Sequence, residues 1–97
     1  MTLEQLDASL TQPVPPEGLS SLLRALWYER RGDWDQAHKI AQEIHDADGA
    51  WIHAYLHRRE GDLANAAYWY RVAGRPVESG DMDAEWRAIV TELLARG

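Results

Sequence analysis

The fold is decided by the stretch Ala25-Leu26-Trp27-Tyr28-Glu29-Arg30-Arg31-Gly32-Asp33-Trp34-Asp35-Gln36-Ala37, because the pattern of this stretch occurs twice in the chain. The second copy is Ala54-Tyr55-Leu56-His57-Arg58-Arg59-Glu60-Gly61-Asp62-Leu63-Ala64-Asn65-Ala66, displaced by 29 residues. Ala, Arg, Gly, Asp and Ala recur at matched positions, and three apolar positions recur in kind. A repeat of this length indicates helical hairpins that stack on one another.

The Gly-Asp pair inside each copy predicts a tight turn between two helices. Glycine tolerates the left-handed backbone that ends a helix, and aspartate is a good cap for the helix that follows. Each copy is therefore expected to contribute one antiparallel hairpin. The four helices are predicted over about 19–31, 34–46, 50–60 and 63–73, with the break between the hairpins at Asp46-Ala47-Asp48-Gly49 and Asp48 as the cap of the third helix.

The flanking segments predict a short helix at one end and a covering helix at the other. Thr2 and Gln5 have the spacing of a capping box, and a proline-rich connector, 13–16, follows that helix. Asp81 is expected to cap a last helix that covers the open edge of the stack. The whole chain, 1–97, is thus predicted to be one all-α domain, made of the N-terminal helix and connector over 1–18, hairpin 1 over 19–46, hairpin 2 over 49–74 and the capping helix over 81–96.

Composition excludes several classes of function. The 97 residues include no cysteine, so disulfides, thiol chemistry and cysteine metal sites are excluded. A net charge of −6 argues against nucleic acid as a partner, because that binding depends on cations that contact phosphates. No apolar run approaches the roughly 20 residues of a membrane span, and the acidic N-terminus does not suit a signal peptide. We therefore expect a cytoplasmic protein with neither a nucleic-acid nor a membrane partner.

The two copies resemble tetratricopeptide-like repeats. Ala25 and Ala54 match that family's small residue on the first helix, and Tyr28 matches the aromatic residue three positions further on. Ala37 and Ala66 match its alanine on the second helix. The resemblance covers about 19–74 and implies a right-handed α-α stack that binds proteins or peptides.

The chain also departs from that family. His57 and Leu63 stand where aromatic residues are expected, and the repeat of 29 residues is shorter than the usual length of about 34. Two repeats are also fewer than the usual three. The segment 45–76 also resembles a part of small bacterial proteins without an assigned function, and this second resemblance carries no mechanism.

Carried over by position, the family's concave surface would lie on the first helix of each hairpin. The implied partner-binding residues are Leu26, Arg30, Trp51, Tyr55, Arg58 and Arg59. Aromatic residues beside arginine suit a peptide-binding or dimer surface. The alternative is that the N-terminal leucines or the C-terminal helix cover these side chains. Tyr68-Trp69-Tyr70 cannot all face one core, because consecutive helical positions point in different directions. Self-association, as a homodimer, would explain an exposed aromatic residue there.

The four histidines all lie between positions 38 and 57 and suggest a second kind of function. His53 and His57 share one helical face. If the hairpins meet at Asp48-Gly49, His45 lies opposite His53, and His38 lies opposite Glu60. The predicted metal ligands are therefore His45, His53 and His57, for zinc or another divalent transition metal. Hydrogen-bonded or solvated histidines are the alternative interpretation.

Neither a nucleophile motif nor a phosphate-binding loop occurs in the sequence. We therefore expect a non-enzymatic interaction module. The alternative function is a small metal-binding protein or metal-dependent hydrolase.

Overall fold

The computed structural model describes residues 1–96, and this range contains six helices and no strand. Gly97, the last residue of the predicted domain, lies outside the described residues. The helices are α1 (Leu3–Ser9), α2 (Ser21–Arg30), α3 (Trp34–Gln42), α4 (Ala47–Arg59), α5 (Leu63–Ala73) and α6 (Met82–Ala95). The all-α class predicted from the sequence is confirmed.

The two hairpin turns lie at the Gly-Asp pairs and are built alike. Gly32 and Gly61 have φ values of 88° and 86°, in the left-handed region that favours glycine. The amide of Asp33 donates to the carbonyl of Tyr28 at 2.9 Å, and the amide of Asp62 makes the matched bond to His57 at 2.9 Å. Each aspartate then caps the following helix through its side chain. The repeat is thus visible in backbone geometry as well as in sequence.

The connection between the hairpins lies earlier than the sequence predicted. α3 ends at Gln42, four residues before the expected end, and Asp46 rather than Asp48 caps α4. The Asp46 side chain accepts from the amide of Gly49 at 2.8 Å. Gly49 is therefore a residue of the first turn of α4, where a Cβ would lie 2.1 Å from the carbonyl oxygen of Ile44. The glycine permits this close approach of the backbone, and it does not break the helix.

α4 is the central helix of the structure. It pairs with α5 in the second hairpin and also packs against α2, α3 and α6. Every residue from Gly49 to Arg58 is buried, so this helix has almost no solvent face. The repeated alanines Ala25, Ala37, Ala54 and Ala66 are all at most 2% exposed, as expected where neighbouring backbones approach closely.

The two terminal helices pack together on one side of the hairpins. α6 contacts α1, α2 and α4, and Leu6 of α1 is fully buried. The Trp86 indole of α6 is fully buried and donates from Nε1 to the carbonyl of Leu26 at 3.0 Å. α6 therefore covers the first helix of each hairpin. None of the helices within 1–96 is long and apolar enough to cross a membrane.

Candidate functional site

The surface predicted to bind a partner lies beneath α6. Leu26 and Tyr55 are fully buried, and Trp51 and Arg58 are less than a tenth exposed. Of the six predicted residues, only Arg30 and Arg59 keep a substantial part of their side chains in solvent. The alternative expectation, that the C-terminal helix covers these side chains, therefore describes this face.

The Arg58 side chain holds α6 in place through a buried ion pair. Its Nη1 donates to Glu85 Oε1 at 2.6 Å, and both side chains are less than a tenth exposed. The Tyr70 hydroxyl donates to the other oxygen of the same carboxylate. Burial, together with this hydrogen bond to Glu85, raises the pKa of Tyr70 well above its ordinary value. The charge of Arg58 is thus already compensated within the fold.

A second polar cluster lies beside the first, under the start of α6. The Tyr55 hydroxyl donates to Glu29 Oε2 at 3.1 Å, and Arg59 Nε lies 3.0 Å from Glu29 Oε1. Burial raises the pKa of Glu29, although Arg59 acts in the opposite direction. Arg30 pairs with Asp83 of α6 and lies over the Trp86 ring, with 5.1 Å between its Cζ and the ring centroid. Arg59 Nη1 also lies 3.9 Å from Asp83 Oδ1, so both arginines contact α6.

The opposite side of α4 borders an open groove. It has a volume of about 440 Å³ and lies between the end of α3, the start of α4 and the outer face of α5. Its apolar lining residues are Ile44, Ala47, Ala50, Trp69 and Val72, and its polar ones are Gln42, His45, Asp46 and His53.

The three consecutive aromatic residues of α5 have different environments beside this groove. Tyr70 is in the core, Trp69 is half-buried and Tyr68 is 51% exposed. The Tyr68 and Trp69 rings meet edge to face, with 5.3 Å between centroids. Val72, one turn after Tyr68, is 50% exposed. The outer face of α5 thus offers apolar side chains to solvent.

The histidines assemble differently from the predicted set. His38 of α3 lies against His53 and His57 of α4, with one ring nitrogen of each residue within 4.8 Å of the others. His45 is exposed, and its Nε2 lies 3.0 Å from the carbonyl oxygen of Gln42. The earlier connection between hairpins explains the change, because it sets His38 rather than His45 beside His53.

Aromatic rings enclose the histidine cluster, which is defined here as His38, His53 and His57. Trp34 stacks on His38 with 4.9 Å between centroids, and Trp69 lies 4.4 Å from the centroid of His53. His53 and His57 are less than a tenth exposed, and His38 is half-buried. The cluster therefore lies at the seam between the two hairpins.

Hydrogen bonding differs among the three imidazoles. His57 Nδ1 lies 2.6 Å from Glu60 Oε1, and because a carboxylate only accepts, Nδ1 is the protonated nitrogen. His57 Nε2 then faces the Asn65 amide nitrogen at 3.5 Å. His53 Nδ1 is buried and has no hydrogen-bond partner among residues 1–96.

The environment favours neutral imidazole. Burial and the nearby His38 and His57 lower the pKa of His53 to about 4. Burial also lowers the pKa of His38, and His57 adds to that shift. At neutral pH both rings have a free lone pair, which is the form that ligates metals. His38 is the residue that sequence reasoning omitted. The signal that could have found it is Asp46, an equally good cap that lies two residues before Asp48.

No family model matches the chain, and neither a curated protein nor a solved structure gives a match.

Proposed function

We propose that this chain is a non-enzymatic, tetratricopeptide-like interaction module that acts in the bacterial cytoplasm. It binds a protein or peptide through the groove between α4 and α5. The observation that carries the proposal is the apolar lining of this groove beside the half-exposed Val72 and Tyr68. α6 covers the surface that the repeat family implies, except for parts of Arg30 and Arg59, so the proposed binding face lies on the other side of α4.

The residues of the groove suit protein recognition. Tyrosine and tryptophan supply large contact areas with few rotatable bonds and are enriched at binding hot spots. Trp69 and Val72 line the groove, and the exposed Tyr68 ring lies edge to face against Trp69. Such a concave apolar site accepts one or two apolar side chains of a partner.

The charge around the groove indicates which residues should flank the apolar part of the partner. Asp46 lines the groove, Glu43 is exposed nearby in the chain, and the net charge of the protein is −6. Opposite charge around an apolar centre raises association rate and specificity. The preferred partner is therefore an apolar segment flanked by lysine or arginine. A second copy of this acidic chain is the less suitable partner.

The experiment is selection of peptides from a random library on the purified protein, followed by calorimetric titration of the selected peptides. They are expected to share an apolar residue next to basic ones. Val72→Arg should weaken binding at least about tenfold, which corresponds to about 1.4 kcal/mol. Leu63→Arg is the matched control, since Leu63 is an exposed apolar residue of the same helix outside the groove. That control should retain the original affinity.

Two results would contradict the proposal. One is a selection that gives no peptide binding more tightly than about 100 µM. The other is an equal loss of affinity in the Val72→Arg and Leu63→Arg variants. Sedimentation equilibrium of the protein alone separately measures self-association, and a dimer that Val72→Arg disrupts would assign the groove to a second copy.

A further inference from the structure

We propose that His38, His53 and His57 bind one divalent transition-metal ion, with zinc as the best match, through one nitrogen of each ring. The two helices bring the ligands together across the seam: α4 supplies two histidines one turn apart, and α3 supplies the third. Such a site would tie the first hairpin to the second. It rests on residues different from those that carry the proposed peptide groove, apart from His53, which borders both.

The spacing of the ring nitrogens is close to that of a metal site. They lie within 4.8 Å of one another, and tetrahedral ligands around zinc are about 3.3 Å apart at Zn–N distances near 2.0–2.1 Å. Closing a difference of up to about 1.5 Å takes small rotations of the histidine side chains, and His38 is the half-buried one of the three. Three imidazole ligands are typical of zinc and of neighbouring first-row metals.

The unpaired nitrogen of His53 is the second observation that points to a ligand. A buried polar atom without a partner destabilises a fold, and such atoms are few in native proteins. The other ionisable side chains in the buried part of α4 are all paired: Tyr55 with Glu29, His57 with Glu60 and Arg58 with Glu85. His53 Nδ1 alone in that set has none within residues 1–96. A metal ion in the cluster would give the His53 imidazole a bonding partner, which the neighbouring residues do not provide.

Glu60 prepares His57 for ligation. Metal-binding histidines usually donate their second ring N–H to a carboxylate, which fixes the tautomer and strengthens the ligand. The 2.6 Å contact between His57 Nδ1 and Glu60 Oε1 is that arrangement, and it leaves the Nε2 lone pair available. The long contact from Asn65 to Nε2 is a weak competitor. The Glu60 carboxylate also offsets part of the charge of a bound cation.

The test is titration of untagged, chelator-treated protein with Zn²⁺ and, separately, Co²⁺. We expect one ion per chain, a higher melting temperature with zinc, and visible absorption from bound cobalt. His38→Gln should weaken zinc binding at least about 100-fold, because losing a direct ligand costs more than the 10–100-fold typical of losing an outer-shell partner. His45→Gln is the matched control, and it should bind zinc as the original chain does.

A direct measurement on the unaltered protein guards against variants that fail to fold. Long-range ¹H–¹⁵N spectra of the imidazoles should show zinc-dependent shifts at His38, His53 and His57, with none at His45. The proposal is overturned by zinc binding weaker than about 100 µM, or by shifts at His45 instead of His38. His38 does not line the groove, so His38→Gln should leave peptide affinity unchanged, and a failure of the groove and a failure of the metal site are distinguishable.

Discussion

Replacing Gly49 by alanine is expected to destabilise the protein, although the same change in an open helix is stabilising. Gly49 lies in the first turn of α4, and alanine is favoured over glycine by about 1 kcal/mol in a helix interior. Helix propensity alone therefore predicts a gain. The close backbone approach between the two hairpins predicts the opposite sign.

The magnitude follows from what the new methyl group would meet. A Cβ on Gly49 lies 2.1 Å from the carbonyl oxygen of Ile44 and 2.9 Å from its carbonyl carbon. These are backbone atoms, so the connection between α3 and α4 must move. Overpacking of this kind costs about 1–3 kcal/mol, and disturbing the Asp46 cap adds about 1 kcal/mol. After the gain in propensity, the net loss is about 2 kcal/mol.

Urea denaturation followed by tryptophan fluorescence and far-ultraviolet circular dichroism measures this loss. For a domain of this size, about 2 kcal/mol corresponds to a melting temperature lower by about 8–16 °C. Gly80→Ala is the control, because a Cβ there meets only the flexible end of Glu78, at 3.1 Å. That control should lie within about 0.5 kcal/mol of the original chain. Equal or greater stability of Gly49→Ala would refute the reasoning.

Two further predictions concern buried charge. Glu85→Ala removes the buried partner of Arg58, and we expect a loss of about 3–5 kcal/mol by urea denaturation; a loss below about 1 kcal/mol would show that the pair does not anchor α6. The second prediction concerns stability at acidic pH. The pKa of His53 in the fold is about 4, against an ordinary 6.5, because of burial and the neighbouring His38 and His57. As pH falls the unfolded chain takes up this proton first, so metal-free stability is full above about pH 6.5 and decreases towards pH 4, by up to about 3 kcal/mol. Denaturation at a series of pH values measures the slope, and a His53→Phe variant should lose this contribution.

The hairpin turns could be predicted because their signals are local. A glycine that accepts a left-handed backbone and an aspartate that caps the next residues act within a few positions of each other. Gly32-Asp33 and Gly61-Asp62 meet this requirement without any help from tertiary contacts. The matched alanines were predictable for a related reason, since a small residue at a repeated position indicates close packing.

The connection between hairpins could not be predicted in the same way. Asp46 and Asp48 are both acceptable caps by local chemistry, and the choice depends on how closely Gly49 can approach Ile44. That approach is a tertiary contact. Because the cap lies two residues earlier than expected, His38 of α3 lies beside His53. His45, in the connection, does not.

Local sequence signals also could not predict that α6 covers the expected binding surface. In the sequence, Asp83 and Glu85 are acids in the first turn of a helix, where they suit the helix dipole. In the structure they also pair with Arg30 and Arg58 across the stack. The partners of these arginines become apparent only from the packing of α6. The exposed apolar surface lies on α5 instead.

The difference between the two repeats is the strongest reason to regard His53 as more than a packing residue. Its counterpart in the first repeat, Arg24, is half-buried on α2, whereas His53 belongs to a helix enclosed by neighbours on several sides. At such a position an apolar side chain of similar shape would pack without leaving a polar atom unpaired, a change that is nearly neutral or stabilising. Packing alone therefore does not account for an imidazole there, whereas the proposed ligation together with His38 and His57 would.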